Sequence, residues 1–242
     1  MGDAWCLAHG AAHVAAAVCL LAWRSAGSTR QAVPVNTLAT PCRLVIFAKA
    51  PVAGTVKTRL IPALGAQGAA ELAQRMLLQT LAQALESGAG SVELCMSPAP
   101  DAPAWHGVAL PDGIALSDQG EGDLGERMAR AVHRVTTTFA QPIVLMGTDC
   151  PELTATGIAQ AARQLLQHDA VLTPVADGGY VLIGLHAPCP ALFADMPWST
   201  PEVARETLRR MAALDLRVWQ APILHDVDEP ADLVHLTQSA PR

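Results

Sequence analysis

IVLMGTDCPEL, residues 143–153, is the stretch that decides the fold. Its first four residues, Ile143–Met146, form a short apolar run, which is typical of a strand buried on both faces of a parallel sheet. The chain leaves the sheet at Gly147, and Pro151 prevents the strand from continuing. Asp149 is therefore expected at the carboxyl end of a buried strand, where open α/β sheets bind their ligands. At that position a carboxylate either suits a hard divalent cation or caps the following helix.

Strand and helix patterns alternate along most of the chain on either side of this stretch. The strand patterns lie at 43–48, 91–96, 114–116, 143–146, 170–175, 181–185 and 216–221. The helix patterns lie at 68–85, from the 119–128 segment through about 139, at 154–167, at 201–213 and from 230. This alternation predicts an α/β fold, a single three-layer domain with a mostly parallel sheet.

Two local signals refine these elements. The strands at 170–175 and 181–185 follow one another so closely that they are expected to pair as a hairpin. Thr154 is expected to cap one helix, and Ser199 or Thr200 the helix at 201–213.

Composition limits the classes of function. The chain has 242 residues, 51% of them hydrophobic, which suffices for one substantial core. Its net charge is -6 and no run of Lys and Arg stands out, so a nucleic-acid surface is not expected. The six cysteines are scattered without a CxxC pair, which argues against a disulfide framework and a zinc site and favours the cytoplasm.

Residues 1–40 differ from the rest. The apolar run at 11–23 is too short to span a bilayer comfortably, so no stable membrane span is expected. Asp3 lies in the leading segment and Arg24 follows the run, which is a poor match to a signal peptide. We expect a poorly ordered extension or a translation start assigned too early, with a weak membrane anchor as the alternative, and a single folded domain over 41–242.

The loop after the first strand, KAPVAGTVKTRLIP at residues 49–62, concentrates basic groups. Lys49, Lys57 and Arg59 lie in it, and Gly54 allows a close backbone approach. Such a loop either binds phosphate or is a solvated surface loop, and the density of cations favours phosphate. The spacing of a Walker A loop is not met.

Carboxylates follow several of the predicted strands. Asp149, Asp177, Asp226 and Asp228 belong to this set. Mg²⁺ usually takes one or two protein carboxylates together with substrate phosphates and water. Asp226 and Asp228 are two positions apart, so both point to one face of an extended segment. One of them is expected to bind the metal and the other to cap the helix at Pro230.

GEGDLG, residues 120–125, formally matches the dinucleotide-binding fingerprint. Glu121, Asp123 and Glu126 would crowd a pyrophosphate with negative charge, which argues against that use. A backbone turn that brings Arg127 to a ligand is the preferred interpretation.

Two further motifs are candidates for substrate contacts. DGGY, residues 177–180, combines two glycines with the only tyrosine of the chain, and it either approaches a ligand or makes a hairpin turn. Trp198, Ser199 and Thr200 precede a helix. They either line an acceptor pocket or, in the case of Trp198, close the core.

Six motifs in order, FAKAPVAGTVKTRL, QGEGDLGERM, GTDCPEL, DGGYVLIGL, PWST and DVDEP, resemble the DUF2064 family. The resemblance covers about residues 42–236. It implies a GT-A-like nucleotide-diphospho-sugar transferase fold with Mg²⁺ or Mn²⁺, a nucleotide sugar, a small-molecule acceptor and a functional link to a radical-SAM enzyme. In outline the chain is also similar to 2-phospho-lactate guanylyltransferases, whose basic loop, strand-end Asp and Gly-Gly turn match Lys49, 57–60, Asp149 and 178–179.

The resemblance and the residues together give a candidate site. The Asp-x-Asp metal motif appears here only as Asp149-Cys150-Pro151, so Asp228 is the candidate for the second metal ligand. Asp149 and Asp177 are the catalytic candidates. The nucleotide-binding candidates are Lys49, Gly54, Lys57, Thr58, Arg59 and Arg127. The substrate-binding candidates are Gly178, Gly179, Tyr180, Trp198, Ser199 and Thr200.

Three functions stay open at this point. The first is a metal-dependent glycosyltransferase that uses a nucleotide sugar. The second is a nucleotidyltransferase that acts on a small phosphorylated acceptor. The third is a nucleotide-binding module without turnover.

Overall fold

The computed structural model describes residues 42–236, so the predictions for residues 1–40 lie outside the described part of the chain. The strands are β1 (Cys42–Lys49), β2 (Gly90–Ser97), β3 (Ala115–Asp118), β4 (Ile143–Met146), β5 (Ala170–Pro174), β6 (Tyr180–Leu185) and β7 (Val218–Gln220). The α-helices are α1 (Ile61–Ser87), α2 (Leu124–His133), α3 (Ala155–Leu165) and α4 (Val203–Ala213). The shorter helical segments are Thr58–Leu60, Pro103–Trp105, Arg134–Thr138, Pro190–Leu192 and Pro230–Leu236.

The seven strands form one open sheet in the order β3-β2-β1-β4-β6-β5-β7. Among them only β6 is antiparallel to its neighbours, β4 and β5. The other neighbouring strands are parallel, which confirms the mostly parallel α/β fold. The predicted hairpin is also confirmed, since β5 and β6 pair directly with a register shift at Thr173/Pro174.

Strand β4 lies in the middle of the sheet and is buried along its whole length. Val144 and Met146 pack in the core under α1 and α3, whereas Ile143 and Leu145 pack in the core under α2 and α4. Side chains of a strand alternate between its two faces, so an entirely apolar strand requires a cover on both. The sheet is therefore the middle layer of three.

The helices depart from their predicted bounds at identifiable points. Helix α1 begins seven residues early, at Ile61 instead of 68, and passes through a kink at Gly65, whose φ of 70° is non-helical. Helix α2 begins behind a capping box in which Asp123 accepts from the Glu126 N–H and Glu126 accepts in return. The Thr154 cap is confirmed, because its hydroxyl accepts the Gly157 N–H at 3.2 Å.

The predicted cap of the 201–213 helix is wrong. Helix α4 has Glu202 at its N-cap position, with no side-chain cap. The Thr200 hydroxyl instead donates to the Pro197 carbonyl at 2.7 Å, within its own turn, and Ser199 has a φ of 62°. The Thr200 hydroxyl also accepts the Glu202 N–H at 3.4 Å, but Thr200 itself lies two residues before the N-cap position.

The predicted cap at Pro230 is also wrong. The Asp232 carboxylate accepts the N–H groups of Asp228 and Glu229, at 3.1 and 2.7 Å, at the start of the Pro230–Leu236 segment. Neither Asp226 nor Asp228 is needed as a cap, so both side chains are available to the cleft described below.

Val227 anchors this C-terminal segment. It is completely buried in a small apolar cluster with Leu60, Leu72 and Met76. Within residues 42–236 no helix combines the length and the apolar character that crossing a membrane requires.

Candidate active site

A cleft of about 750 Å³ opens at the carboxyl ends of β1 and β4. Its walls come from the loop after β1, the residues after β4, the β5–β6 turn, the 198–201 loop and the 226–228 segment. The predicted site residues among its lining are Lys49, Lys57, Thr58, Arg59, Asp149, Asp177, Gly179, Tyr180, Trp198, Ser199, Thr200 and Asp228. Gly54, Arg127 and Gly178 are not in the lining.

Lys57 makes the central contact of the cleft. Its ammonium lies 2.5 Å from Asp149 Oδ1 and 2.7 Å from Asp228 Oδ1, and it donates to the Val227 carbonyl at 2.7 Å. An ammonium has three donors, and here three oxygens receive them. The carboxylates of Asp149 and Asp228 therefore converge on one point.

Exposure differs sharply between the members of this group. The Lys57 side chain is 6% exposed, while those of Asp149 and Asp228 are 50% and 41% exposed. Burial alone would lower the pKa of Lys57, but the charges of Asp149 and Asp228 outweigh it and raise the pKa. The lysine thus stays charged at the closed end of the cleft, and the two carboxylates open toward the ligand space.

The backbone holds this arrangement in place. The Val227 N–H donates to the Asp149 carbonyl at 2.8 Å, which ties the C-terminal segment to the end of β4. Lys57 itself has a left-handed backbone (φ 47°, ψ 40°) immediately before the Thr58–Leu60 turn. That conformation is unusual for a residue other than glycine, and here it belongs to the side chain that joins both carboxylates.

A second pair of carboxylates faces the same cleft. Burial and the nearby Asp177 charge raise the pKa of Asp226 to about 6. Asp177 Oδ1 accepts the Gly179 N–H at 2.7 Å, which fixes the side chain over its own turn. Asp226 was recognised in the sequence only as a possible cap or ligand beside Asp228, and the alternation of Asp226 and Asp228 was the signal for its position.

The two glycines of the DGGY turn lie in different surroundings. Gly178 (φ 92°) packs behind the cleft, where an added Cβ would lie 2.1 Å from the Pro201 carbonyl oxygen. Its own carbonyl accepts the Ala204 N–H at 2.8 Å. Gly179 and Tyr180 line the cleft, and burial raises the pKa of the Tyr180 phenol.

The remaining cations of the first loop are held in different ways. Lys49 donates to the Thr55 carbonyl at 2.8 Å, across the turn that contains Gly54 (φ 81°). The Arg59 side chain is 65% exposed and lies 3.7 Å from the Glu229 carboxylate. Lys49 thus orders the loop, whereas Arg59 is a largely exposed side chain beside Glu229.

The GEGDLG segment serves packing and loop closure. Arg127 Nε donates to the Gly122 carbonyl at 2.8 Å, so the side chain closes the loop before α2. An added Cβ at Gly125 would lie 2.4 Å from the Phe193 carbonyl oxygen and 3.0 Å from Trp198 Nε1. Gly125 therefore permits Trp198 to close over the start of α2.

Sequence reasoning missed Gln119, which directly precedes the GEGDLG segment. It is 7% exposed, and its amide donates to the carbonyls of Ala48 and Cys95 at 3.1 and 3.0 Å. It thereby joins the ends of β1 and β2 at the floor of the cleft. Its position directly after a short strand was the only signal in the sequence.

A family model with the description "Uncharacterized protein conserved in bacteria (DUF2064)" matches residues 80–200. The chain belongs to the DUF2064 family. A search of curated proteins gives no match.

Solved structures share the fold. The "putative nucleotide-diphospho-sugar transferase" of Desulfovibrio desulfuricans G20 is 31% identical, with a TM-score of 0.74 over 81% of this chain and 85% of that chain. A cytidylyltransferase of Leptospira borgpetersenii is 14% identical, with a TM-score of 0.53 over 80% and 84%. Rv0371c of Mycobacterium tuberculosis H37Rv, in complex with manganese, is 18% identical, with a TM-score of 0.50 over 83% and 100%. The last two similarities concern the fold alone.

Proposed function

We propose that this DUF2064 protein is a metal-dependent glycosyltransferase that uses a nucleotide-diphosphate sugar and a small-molecule acceptor. The observation that carries the proposal is the convergence of Asp149 and Asp228 on one point beside the basic loop. A metal–diphosphate group needs carboxylates for the metal and cations for the phosphates at neighbouring positions. The Desulfovibrio relative, at 31% identity, supports a nucleotide sugar as the donor.

The donor set fits a hard divalent cation. Asp149 and Asp228 would hold Mg²⁺ or Mn²⁺, and both carboxylates already face a single cationic group, the Lys57 ammonium. When bound, the metal would supply Lewis-acid stabilisation of the departing nucleoside diphosphate.

The basic loop supplies the remaining positive charge. Lys57 keeps Asp149 and Asp228 together, and Arg59 is exposed enough to grip a phosphate through two N–H groups. Lys49 orders the loop through Thr55.

The opposite wall suits the sugar and the acceptor. Gly179, Tyr180, Trp198, Ser199 and Thr200 line it, and Asp177 stands at its edge. In an inverting transfer Asp177 would take the proton from the acceptor hydroxyl, because one of its oxygens already accepts from Gly179 and the carboxylate is thereby oriented.

Thermal shift tests the proposal directly. The melting temperature is measured with a panel of nucleotides and nucleotide sugars, with and without Mn²⁺, for the wild type, Asp149→Asn and Asp228→Asn. A ligand that binds only the native state raises the melting temperature by mass action, so one nucleotide sugar with Mn²⁺ should stabilise the wild type and not these variants. Asp101→Asn, an exposed acid outside the cleft, is the matched control and should behave as the wild type.

Turnover is then measured as release of nucleoside diphosphate from the stabilising sugar nucleotide. A stabilisation by nucleotides that is equal in the wild type and in Asp149→Asn would contradict the metal centre and favour a binding module without turnover.

A nucleotidyltransferase is the second candidate, because most of the residues that match guanylyltransferases line this cleft, namely Lys49, Lys57, Thr58, Arg59, Asp149 and Gly179. Attack would then fall on an α-phosphate and pyrophosphate would leave. Incubation with nucleoside triphosphates and Mg²⁺ separates the two functions. Pyrophosphate release without breakdown of any nucleotide sugar would establish the second.

A further inference from the structure

Glu152, His225 and His235 form a cluster outside the lining of the cleft. One potential ligand atom from each lies within 4.8 Å of the others. His225 Nδ1 is 3.2 Å from Glu152 Oε2, and His235 Nδ1 is 3.8 Å from Glu152 Oε1. The three side chains come from the turn after β4, the segment before Val227 and the C-terminal helical segment.

We propose that this cluster is a binding site for one transition-metal ion of the Zn²⁺ type, separate from the cleft. Two imidazoles and one carboxylate are a ligand set that suits Zn²⁺, Co²⁺ or Ni²⁺, whereas Mg²⁺ prefers oxygen ligands throughout. Three protein ligands leave further coordination positions for water.

The carboxylate is already oriented for this role. Glu152 Oε2 accepts the His225 backbone N–H at 3.0 Å, and both imidazole Nδ1 atoms lie on the side of this carboxylate. The Glu152 side chain is 22% exposed, which lets an ion enter without opening the core.

One ring must turn for the ion to bind. The imidazoles of His225 and His235 are stacked, with centroids 4.2 Å apart and planes at 10°. A metal lies near the plane of the imidazole it binds, so one ion cannot accept lone pairs from two parallel rings at once. The His225 side chain is 44% exposed against 23% for His235, so His225 is the ring that rotates about its Cβ–Cγ bond.

Metal binding at this cluster would stabilise the two chain segments that carry Asp149 and Asp228. Glu152 follows Asp149 by three positions, and His225 precedes Asp228 by the same number. The ion would therefore cross-link the two chain segments that carry the converging carboxylates. The inference does not rest on the proposed function, because it depends on the cluster alone.

Titration of the full-length protein with Co²⁺ tests the proposal. Mg²⁺ is present in large excess to fill oxygen-ligand sites, and the visible d–d absorption of bound Co²⁺ is the readout. One equivalent of Co²⁺ should bind and should be displaced by Zn²⁺, whose filled d shell removes the absorption. Zn²⁺ should also raise the melting temperature of the protein.

The variants His225→Asn, His235→Asn and Glu152→Gln should each weaken Co²⁺ binding by about 100-fold or more, since each removes a direct ligand. Two control variants should still bind one equivalent of Co²⁺. They are His106→Asn, which changes an exposed histidine elsewhere, and Asp149→Asn, which changes the cleft. Circular dichroism verifies that every variant is folded, and the double variant His225→Asn/His235→Asn replaces any single variant that is not.

Three results would overturn the site. They are no Co²⁺ absorption in the wild type, an unchanged Co²⁺ titration in both histidine variants, and loss of Co²⁺ binding in Asp149→Asn. The last would place the bound ion in the cleft. Nucleotide binding is measured separately, so failure of this site leaves the proposed function standing.

Discussion

Lys57 is the residue on which the cleft depends. Its ammonium contacts the carboxylates of both Asp149 and Asp228, and its side chain is almost completely buried. Removing one member of a buried ionic group leaves its partners uncompensated, which costs more than the group contributed.

Lys57→Met should therefore destabilise the protein and favour metal binding. We expect the free energy of unfolding in urea to fall by about 2 kcal/mol at neutral pH, at the low end for such pairs because the carboxylates are partly exposed. Mn²⁺ should bind the variant more tightly than the wild type by calorimetry, since no ammonium competes for the two carboxylates.

Lys49→Met is the matched control, because Lys49 contacts a backbone carbonyl instead of an acid. Equal losses of stability in the two variants, or equal Mn²⁺ affinities, would contradict the role given to Lys57.

The raised pKa of Asp226 should make the stability of the protein depend on pH. Its folded pKa of about 6 lies above the unfolded value near 4, so the folded state holds this proton more tightly and loses stability as the pH rises through 6. In metal-free buffer Asp226→Asn should be more stable than the wild type by about 1 kcal/mol at pH 8, a value reduced for solvent screening, and equal to it at pH 4.

Urea unfolding at both pH values measures this difference. Asp101→Asn, which changes an exposed carboxyl, should show no such trend. A stabilisation of Asp226→Asn that is as large at pH 4 as at pH 8 would exclude the carboxyl charge as its cause.

The positions of single residues were predictable where local pattern determines them. A buried strand followed by Gly and Pro was enough to place Asp149, and alternation placed Asp228 on the face of Asp226. The partner of Lys57 was not predictable. Its contact with Asp228 spans 171 positions and depends on a left-handed backbone that no local motif demands.

At the scale of elements, Glu93 joins β2 to both its neighbouring strands and to the Arg134–Thr138 segment that follows α2. It is 1% exposed and accepts from Arg43 at 2.5 Å, from the Ser117 hydroxyl at 2.5 Å and from Arg134. Burial alone would raise the pKa of Glu93, but the hydrogen bonds from Arg134, Ser117 and Arg43 outweigh it and lower the pKa.

Glu93→Gln should cost about 3 kcal/mol of unfolding free energy at pH 7, because two arginines lose their buried counter-charge. A carboxyl with a lowered folded pKa stabilises the protein above its unfolded pKa and loses that contribution as the pH falls through the folded value. The gap between wild type and variant in urea unfolding should thus narrow below pH 4. A gap that is constant with pH would contradict a charged Glu93.

The β5–β6 turn requires Gly178 for steric reasons. A Cβ there would overlap the Pro201 carbonyl oxygen, so Gly178→Ala must displace the 198–201 wall of the cleft. We expect a loss of about 2 kcal/mol in urea unfolding and a loss of nucleotide-sugar binding in thermal shift. Gly54→Ala is the control, since its φ is also positive but no atom lies within 4 Å of the added Cβ, and only the backbone cost of about 1 kcal/mol remains.

Element type was predictable and element ends were less so. A continuous apolar run identified the buried β4, the short separation of two strands identified the hairpin, and helical periodicity identified the long helix α1. The early start of α1 was missed because Pro62 and Gly65 interrupt the pattern, while the structure carries the helix through a kink at Gly65. The predicted cap of α4 was wrong because the Thr200 hydroxyl donates to the Pro197 carbonyl, within its own turn, and the helix begins after Glu202.

At the scale of the whole molecule, one continuous sheet joins the first described strand to the last. Two large apolar cores lie on its faces, and a third cluster around Val227 attaches the C-terminal segment. Nothing in residues 42–236 divides the sheet into separable halves.

We therefore expect this part of the chain to unfold as one unit. Scanning calorimetry should give a single transition with equal calorimetric and van't Hoff enthalpies. Two resolved transitions, or a large excess of calorimetric enthalpy, would show an independent domain. The overall α/β class followed from alternation, but the insertion of β6 between β4 and β5 depends on long-range pairing that no local signal specifies.

The long span of the Lys57–Asp228 contact has a consequence for biosynthesis. Chains emerge from the ribosome N-terminus first, so the basic loop appears long before its second counter-ion. Until residue 228 has been synthesised, Lys57 lacks one of the two carboxylates that contact it. A chain that stops before this residue would therefore leave the Lys57 ammonium with Asp149 as its single acidic partner among the contacts of the described residues.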